Sequence, residues 1–109
     1  MNDLLRPSLY SAYHKIEAVD NEGEKSPADI VGPVCESGDF FAKERLLPNF
    51  KHNYLIVVHS AGAYGFGMGS NYNNRGRSAE VALKDGKARL IRKRENFEDL
   101  IALEQEFLS

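Results

Sequence analysis

The sequence has little of what would mark a secreted or membrane-bound protein. It contains one cysteine in 109 residues, so no internal disulfide can form, and a reduced cytoplasmic setting is the default expectation. No apolar run approaches the roughly 18 residues of a membrane span, and Asp3 and Arg6 do not fit a signal peptide. We therefore expect a cytoplasmic protein with no membrane partner.

An excess of charge of one sign is also missing. Fourteen Lys and Arg residues oppose 16 Asp and Glu residues, which gives a formal net charge of -2. The basic cluster at residues 89–94 is followed at once by Glu95, Glu98 and Asp99. Because nucleic-acid binding needs a basic surface, no nucleic-acid partner is expected.

Length and composition are those of an ordinary globular domain. With 109 residues, 42% of them hydrophobic and 28% charged, the chain fits neither disorder nor a disulfide scaffold. A chain of this size buries only a small core. We expect one domain at most, over residues 1–109.

Helices are expected near both ends of the chain. Pro7 suits the first turn of a short N-terminal helix, which would place Tyr10 with Tyr13 or His14 on one face. Asn96 is a typical cap for a final helix, with an apolar stripe formed by Phe97, Leu100, Ile101, Phe107 and Leu108.

The pattern between these helices indicates short strands. Residues 14–19 alternate, residues 30–35 are β-branched but interrupted by Gly32-Pro33, and residues 54–59 form an apolar run suited to the middle of a sheet. The proline predicts an edge strand or a bulge. Two further strands, 79–83 and 88–94, are predicted to form a hairpin around Asp85-Gly86.

Three segments lack a strand pattern. Residues 20–29 and the glycine-rich residues 60–77 are predicted loops, and residues 37–48 fit a loop or one helical turn. The elements together predict a mainly β fold, a small β-barrel or sandwich with a short helix at each end.

The glycine-rich loop is the first candidate site. Its glycines allow backbone amides to approach an anion, and Tyr64 among them offers a phenol to a phosphate or carboxylate. The motif lacks the lysine of a Walker loop and the helix of a dinucleotide fold. A ligand-contacting loop and a merely irregular connection both remain open.

Two residue pairs are further candidates. Cys35 and Glu36 follow a strand, where a thiol and a carboxylate could donate a proton and bind an ammonium, or be a buried hydrophobe beside a surface acid. Arg6 and Tyr10 lie one helical turn apart and could converge on one carboxylate, or lie unpaired on the surface.

No metal site is expected. The histidines have no ligand spacing and are interpreted as structural or exposed; they are His14, His52 and His59.

Four segments of the chain resemble one enzyme family. They are MNDLLRPSLYSAYH, GPVCESGDFFAKERLLP, SAGAYGFGMGSNYNNRGRSAEV and LIRKRENFEDL, in this order, from Met1 to about Leu100. They resemble the C-terminal part of the diaminopimelate decarboxylase family, pyridoxal-phosphate enzymes of the alanine-racemase-like fold that make L-lysine from meso-diaminopimelate.

The resemblance implies a composite active site. An N-terminal α/β barrel would hold pyridoxal 5'-phosphate on a lysine, and a C-terminal β domain would complete the site, partly across a homodimer interface. Arg6 and Tyr10 would bind the substrate's distal carboxylate, and Tyr64 would face both the substrate and the cofactor with its phosphate.

Cys35 and Glu36 would reach the neighbouring subunit's site. There Glu36 would hold the distal ammonium and Cys35, the catalytic residue, would protonate the carbanion left by carbon dioxide loss. Related ornithine and arginine decarboxylases usually have Asp after this Cys, so Glu36 favours diaminopimelate.

The chain matches only the second part of this family. The lysine and phosphate loop of the barrel are not in the sequence, so the chain alone is expected to be inactive. A strand of the β domain is also expected from the start of the full-length enzyme, and its lack would expose an edge. The alternatives are a non-catalytic module that docks on an intact decarboxylase or on itself, and an anion-binding β domain.

Overall fold

The computed structural model describes residues 1–20 and 22–108, which are mainly β. In chain order, the helices and strands are α1 (Arg6–Tyr10), β1 (Ile16–Ala18), β2 (Lys25–Val31), β3 (Phe40–Pro48), β4 (Ile56–Val58), β5 (Glu80–Lys84), β6 (Lys87–Arg92) and α2 (Phe97–Leu100). Short 3-10 turns lie at Phe66–Met68, Tyr72–Asn74 and Gln105–Phe107. The expected mainly β class with a short helix near each end is confirmed.

The strands pair two by two. The antiparallel pairs are β1 with β4, β2 with β3, and β5 with β6. A closed barrel, one of the two architectures expected from the sequence, is not formed within the described residues, because each strand there has one hydrogen-bonded neighbour. The chain divides into two compact units, one of Met1 and Asp3–Gly69 and one of Asn2 and the residues from Ser70 onwards.

Helix α1 begins as the sequence predicts but ends earlier. Pro7 lies in its first turn and is fully buried. The helix stops because Ser11 is left-handed, with φ of 54°, and returns its N–H to the Arg6 carbonyl. Tyr13 and His14 therefore lie beyond the helix, and the expectation that they share its face is wrong.

The β1–β4 pair is shorter than the sequence suggests. Ile16 pairs with Val58 and is buried, which confirms a strand within residues 14–19. The run at residues 54–59 was expected in the middle of a sheet, but within the described residues β4 pairs with β1 alone. Leu55 is 69% exposed, so this apolar run is not covered on both sides.

The β2–β3 pair departs most from the sequence prediction. β2 begins at Lys25, inside the segment predicted to be a loop; Asn21 of that segment lies outside the described residues. β3 replaces the loop or helical turn expected at residues 37–48.

A bulge explains why the sequence pattern does not predict β3. The register runs from Ala28↔Arg45 to Ile30↔Ala42, so β3 contains one extra residue there, and a second shift follows between Ile30 and Val31. Glu44 at the first shift is left-handed, with φ of 49°, and its N–H donates to Asp29 Oδ1 at 2.8 Å. The extra residue shifts the inward-facing side chains by one position, which destroys the alternation that marks a strand.

The core lies between these strand pairs. Ile16, Ala42 and Leu47 are buried, and four partly buried side chains pack on them: Ile30, Phe41, Phe50 and Val58. This core holds β1, β3 and the end of β4 in place. Since α1 precedes β1 and the glycine-rich loop follows β4, the core also anchors the chain next to the helix and next to the loop.

The second unit confirms the predicted hairpin and helix cap. Asp85 and Gly86 have φ of 52° and 72°, as a two-residue hairpin turn requires. Asn96 and Asp99 form a capping box, with bonds of 3.0 Å and 2.9 Å. The helix ends at Leu100 rather than reaching residue 108, because its apolar stripe is not buried; Phe107 is 77% exposed.

The described helices do not include a candidate for a membrane span. None of them has both the length and the apolar character that a transmembrane helix needs.

Candidate active site

Three of the predicted substrate-binding residues meet at Arg6. The guanidinium carbon of Arg6 lies 5.8 Å from the centre of the Tyr10 ring and 5.6 Å from the centre of the Tyr64 ring. Tyr10 reaches this position because residues four apart lie on one face of a helix. Tyr64 reaches it from the glycine-rich loop, 54 positions later in the sequence.

The chemistry of this Arg6 cluster favours an anion. Each cation–π contact contributes about 0.5–1 kcal/mol at an exposed site and holds the planar guanidinium in place. Tyr10 and Tyr64 are 61% and 66% exposed, and none of the ion pairs among the described residues uses Arg6. The guanidinium edge and two phenols are thus available to a carboxylate or phosphate.

The loop that carries Tyr64 is held in a compact shape. Ser60 and Tyr64 are both left-handed, with φ of 56° and 60°. Gly65 is buried, and a Cβ there would overlap the carbonyl oxygen of Ala61. Gly65 is therefore required by the loop itself, whereas a Cβ at Gly62 would meet open space.

Cys35 and Glu36 lie in a second loop, residues 32–39, and both are exposed. The alternative of a buried, hydrophobe-like cysteine is wrong. The buried carboxylate of Asp39 holds this loop, accepting the N–H of Val34 at 2.8 Å and contacting the Met1 amine. Sequence inspection missed this role of Asp39.

The 32–39 loop approaches α1 at Ser8. A Cβ at Gly38 would lie 3.2 Å from Ser8 Oγ and 3.6 Å from Glu36 Oε1. Ser8 is two residues from both Arg6 and Tyr10, which is about 200° around a helix. The structure thus brings Arg6, Tyr10 and Tyr64 together, while the 32–39 loop meets α1 at Ser8.

His14 connects the two segments that form the Arg6 cluster. It is 5% exposed, and its Nδ1 lies 3.0 Å from the carbonyl oxygen of His59, the residue before the Tyr64 loop. Its own carbonyl accepts a bond of 2.7 Å from Arg45. Its interpretation as a structural histidine is confirmed, while His52 is exposed.

His59 also takes part in a surface ion cluster. Its Nε2 lies 3.1 Å from Glu17, which pairs with Lys15 at 2.5 Å. The hydrogen bond from Lys15, and then that from His59, lowers the pKa of Glu17, and the bond to Glu17 raises the pKa of Lys15. This cluster ties the start of β1 to the end of β4.

Comparison with known proteins gives the family of this site. The C-terminal sheet domain of the pyridoxal-dependent decarboxylases matches residues 1–62, which include α1, the 32–39 loop and β4. The chain belongs to this decarboxylase family. The match includes Arg6, Tyr10, Cys35 and Glu36, and Tyr64 lies two residues beyond its end.

Relatives of this decarboxylase domain share most of its sequence. Diaminopimelate decarboxylase of Campylobacter jejuni is 59% identical over 108 residues, 99% of this chain and 27% of that protein. The enzyme of the same name from Aquifex aeolicus is 52% identical over 93% of this chain and 24% of its own length. The domain thus spans about a quarter of these relatives.

Solved structures have the same fold. Diaminopimelate decarboxylase from Helicobacter pylori, complexed with L-lysine, superposes with a TM-score of 0.91 at 52% identity, covering 99% of this chain and 27% of that one. The enzyme from M. jannaschii superposes with a TM-score of 0.89 at 41% identity over 94% of this chain and 24% of that one. The decarboxylase domain therefore has the backbone arrangement of the corresponding quarter of these enzymes.

Proposed function

We propose that residues 1–109 are the C-terminal β domain of a diaminopimelate decarboxylase, which converts meso-2,6-diaminopimelate to L-lysine and carbon dioxide in lysine biosynthesis. The observation that carries this proposal is the Arg6 cluster, an open guanidinium between two tyrosines. The relatives of that name, 59% and 52% identical, support the substrate. The reaction itself needs the N-terminal barrel, so the domain alone is inactive.

Substrate selection follows from charge. The planar fork of Arg6, with the phenol of Tyr10, binds the distal carboxylate in two places. Glu36 binds the distal ammonium. A substrate that lacks either group would leave one of these charges unpaired, which is how a polar site discriminates strongly.

Pyridoxal phosphate fits the residues present. When bound, it supplies the electron sink for loss of carbon dioxide. The exposed phenol of Tyr64, beside the positive charge of Arg6, suits a contact with the cofactor or its phosphate. The lysine and the remaining phosphate ligands would come from the barrel.

The position of the 32–39 loop supports a homodimer with shared sites. The loop meets α1 at Ser8, which is about 200° around the helix from Arg6, so one domain would serve two sites. Arg6, Tyr10 and Tyr64 would act in their own subunit's site. Cys35 would deliver its thiol proton to the reacting carbon in the neighbouring site, and Glu36 would hold the ammonium there.

The rest of the enzyme would complete the sheet. Each described strand has one partner, so free edges remain in both units. We infer that strands from elsewhere in the enzyme close these pairs into a β-barrel, in a cytoplasmic protein. The same free edges favour the second candidate, a non-catalytic module that docks on a decarboxylase or on itself.

The test is carbon dioxide release from meso-diaminopimelate by the full-length enzyme that contains this domain, with pyridoxal phosphate added. We expect L-lysine and carbon dioxide in equal amounts, and no release from L-lysine or ornithine. A full-length enzyme that binds pyridoxal phosphate but releases no carbon dioxide would refute the proposal. Co-elution of the domain with an intact decarboxylase, without any effect on turnover, would favour the docking module.

A further inference from the structure

We propose that His14 is a positioning residue that fixes Tyr64 against Arg6 by holding the peptide at which the glycine-rich loop begins. The effect expected on kcat/KM rests on the proposed function. The effect expected on the conformation of the loop does not.

The hydrogen bond between His14 and His59 has a defined donor and acceptor. His14 Nδ1 lies 3.0 Å from the His59 carbonyl oxygen, and a carbonyl can only accept, so Nδ1 carries the hydrogen. His14 is 5% exposed, and its carbonyl is fixed by Arg45 at 2.7 Å. A rotamer held by burial at the ring and by a bond at the backbone keeps the donor aimed at one atom.

The peptide group that accepts this hydrogen bond precedes a residue with a strained backbone conformation. It joins His59 to Ser60, and Ser60 is left-handed, with φ of 56°. A non-glycine residue in that region costs about 1–2 kcal/mol, and it persists only where its surroundings impose it. The hydrogen bond from His14 fixes the orientation of this peptide plane. Tyr64 lies four residues further along the loop, so its position depends on this orientation.

His14 is also close in sequence to α1, the helix that carries Arg6 and Tyr10. Three residues separate His14 from Tyr10, the last residue of α1. His14 therefore sets the loop bearing Tyr64 relative to the helix bearing Arg6 and Tyr10. His14 belongs neither to α1 nor to the glycine-rich loop, so we expect its effect on the site to pass through Tyr64.

A double-mutant cycle in the full-length enzyme tests this. His14→Leu should lower kcat/KM for meso-diaminopimelate about threefold to tenfold, the worth of one hydrogen bond, mainly through KM. In a Tyr64→Ala background the same change should have little further effect, because residues that act through one another are not additive. His14→Asn, whose Nδ2 is bonded to Cγ as Nδ1 is, should recover most of the loss.

Equal losses in both backgrounds, or no recovery with asparagine, would overturn the proposal. His52→Leu, at an exposed histidine, is the matched control and should leave kcat/KM unchanged. Hydrogen exchange of residues 60–69 gives an answer that does not depend on turnover: exchange should be faster in His14→Leu than in wild type or His14→Asn. If wild type releases no carbon dioxide, the proposed function fails, and unchanged exchange would overturn this inference separately.

Discussion

At the scale of single residues, the site depends on a guanidinium that contacts two tyrosine rings. Arg6 lies 5.8 Å and 5.6 Å from the ring centres of Tyr10 and Tyr64. A lysine in the same place would be a point charge on a flexible stem, without a planar fork. The arrangement therefore makes position 6 sensitive even to a change that preserves charge.

Arg6→Lys in the full-length enzyme should lower kcat/KM for meso-diaminopimelate by about tenfold to a hundredfold, the range for losing a charge-assisted bond. The unfolding midpoint should change little, because Arg6 makes no ion pair among the described residues. Arg94→Lys, at an exposed arginine in the second unit, is the control. Equal kinetics for both variants would show that the guanidinium of Arg6 is not used.

Glu36→Gln should raise KM for meso-diaminopimelate by about tenfold or more, since it removes the charge opposed to the distal ammonium. Glu36 is exposed, so no loss of stability should accompany the effect. Glu24→Gln, at an exposed loop acid, serves as the control in the same steady-state assay. An unchanged KM and an unchanged preference over ornithine would contradict the role given to Glu36.

At the scale of elements, the 32–39 loop depends on a glycine and a buried acid. A Cβ at Gly32 would overlap the Asp39 carboxylate, which also accepts the Val34 N–H at 2.8 Å. Gly32→Ala should therefore destabilise the enzyme by about 1–3 kcal/mol, the usual cost of overpacking. Gly67→Ala, where a Cβ would meet nothing within 4 Å, should not. Denaturant midpoints of the two variants decide this, and equal midpoints would contradict it.

The segment at residues 70–77 should loosen in acid. Hydrogen bonds from the Arg77 backbone and from Asn71 hold the pKa of Glu95 below its usual 4.5. An acid whose pKa is lowered on folding stabilises the protein above its usual pKa, and that stabilisation is lost as pH falls through the lowered value.

Glu95→Gln should thus speed hydrogen exchange at residues 70–77 at neutral pH, and its difference from wild type should shrink below about pH 4. Glu104→Gln, at an exposed glutamate, is the control and should have no effect at either pH. A difference that grows in acid would contradict the assignment.

The elements also show what sequence alone can and cannot predict. The Asp85-Gly86 hairpin and the Asn96 cap are local, so two or four residues suffice to predict them. β3 could not be found because the extra residue at Glu44 breaks its alternation.

The candidate site likewise has one part that the sequence predicts and another that it does not. The helix spacing of Arg6 and Tyr10 is readable from the sequence, but the approach of Tyr64 depends on the long-range pairing of β1 with β4. The supporting role of His14 depends on a hydrogen bond to His59, 45 positions away, and that of Asp39 on its contacts with the Val34 N–H and the Met1 amine. Neither residue type nor spacing is a signal for these contacts.

At the scale of the whole molecule, the chain corresponds to about a quarter of the length of its relatives. It spans 27% of a relative at 59% identity, and its strands each keep an edge without a described partner. Exposed apolar side chains on the hairpin, such as Leu83 at 81% and Leu90 at 60%, are the kind of surface that another part of an assembly covers.

The most direct test of a site shared between subunits is to mix two inactive variants of the full-length enzyme. One carries Arg6→Gln and the other Cys35→Ala, which removes the proton donor of the neighbouring site, and each alone should release almost no carbon dioxide. If the two residues serve different sites, random mixing makes half of the dimers hybrid, each with one intact site, so activity should return to about one quarter of wild type. If the mixture stays as inactive as its components, the two residues belong to one subunit's site and the shared site is wrong.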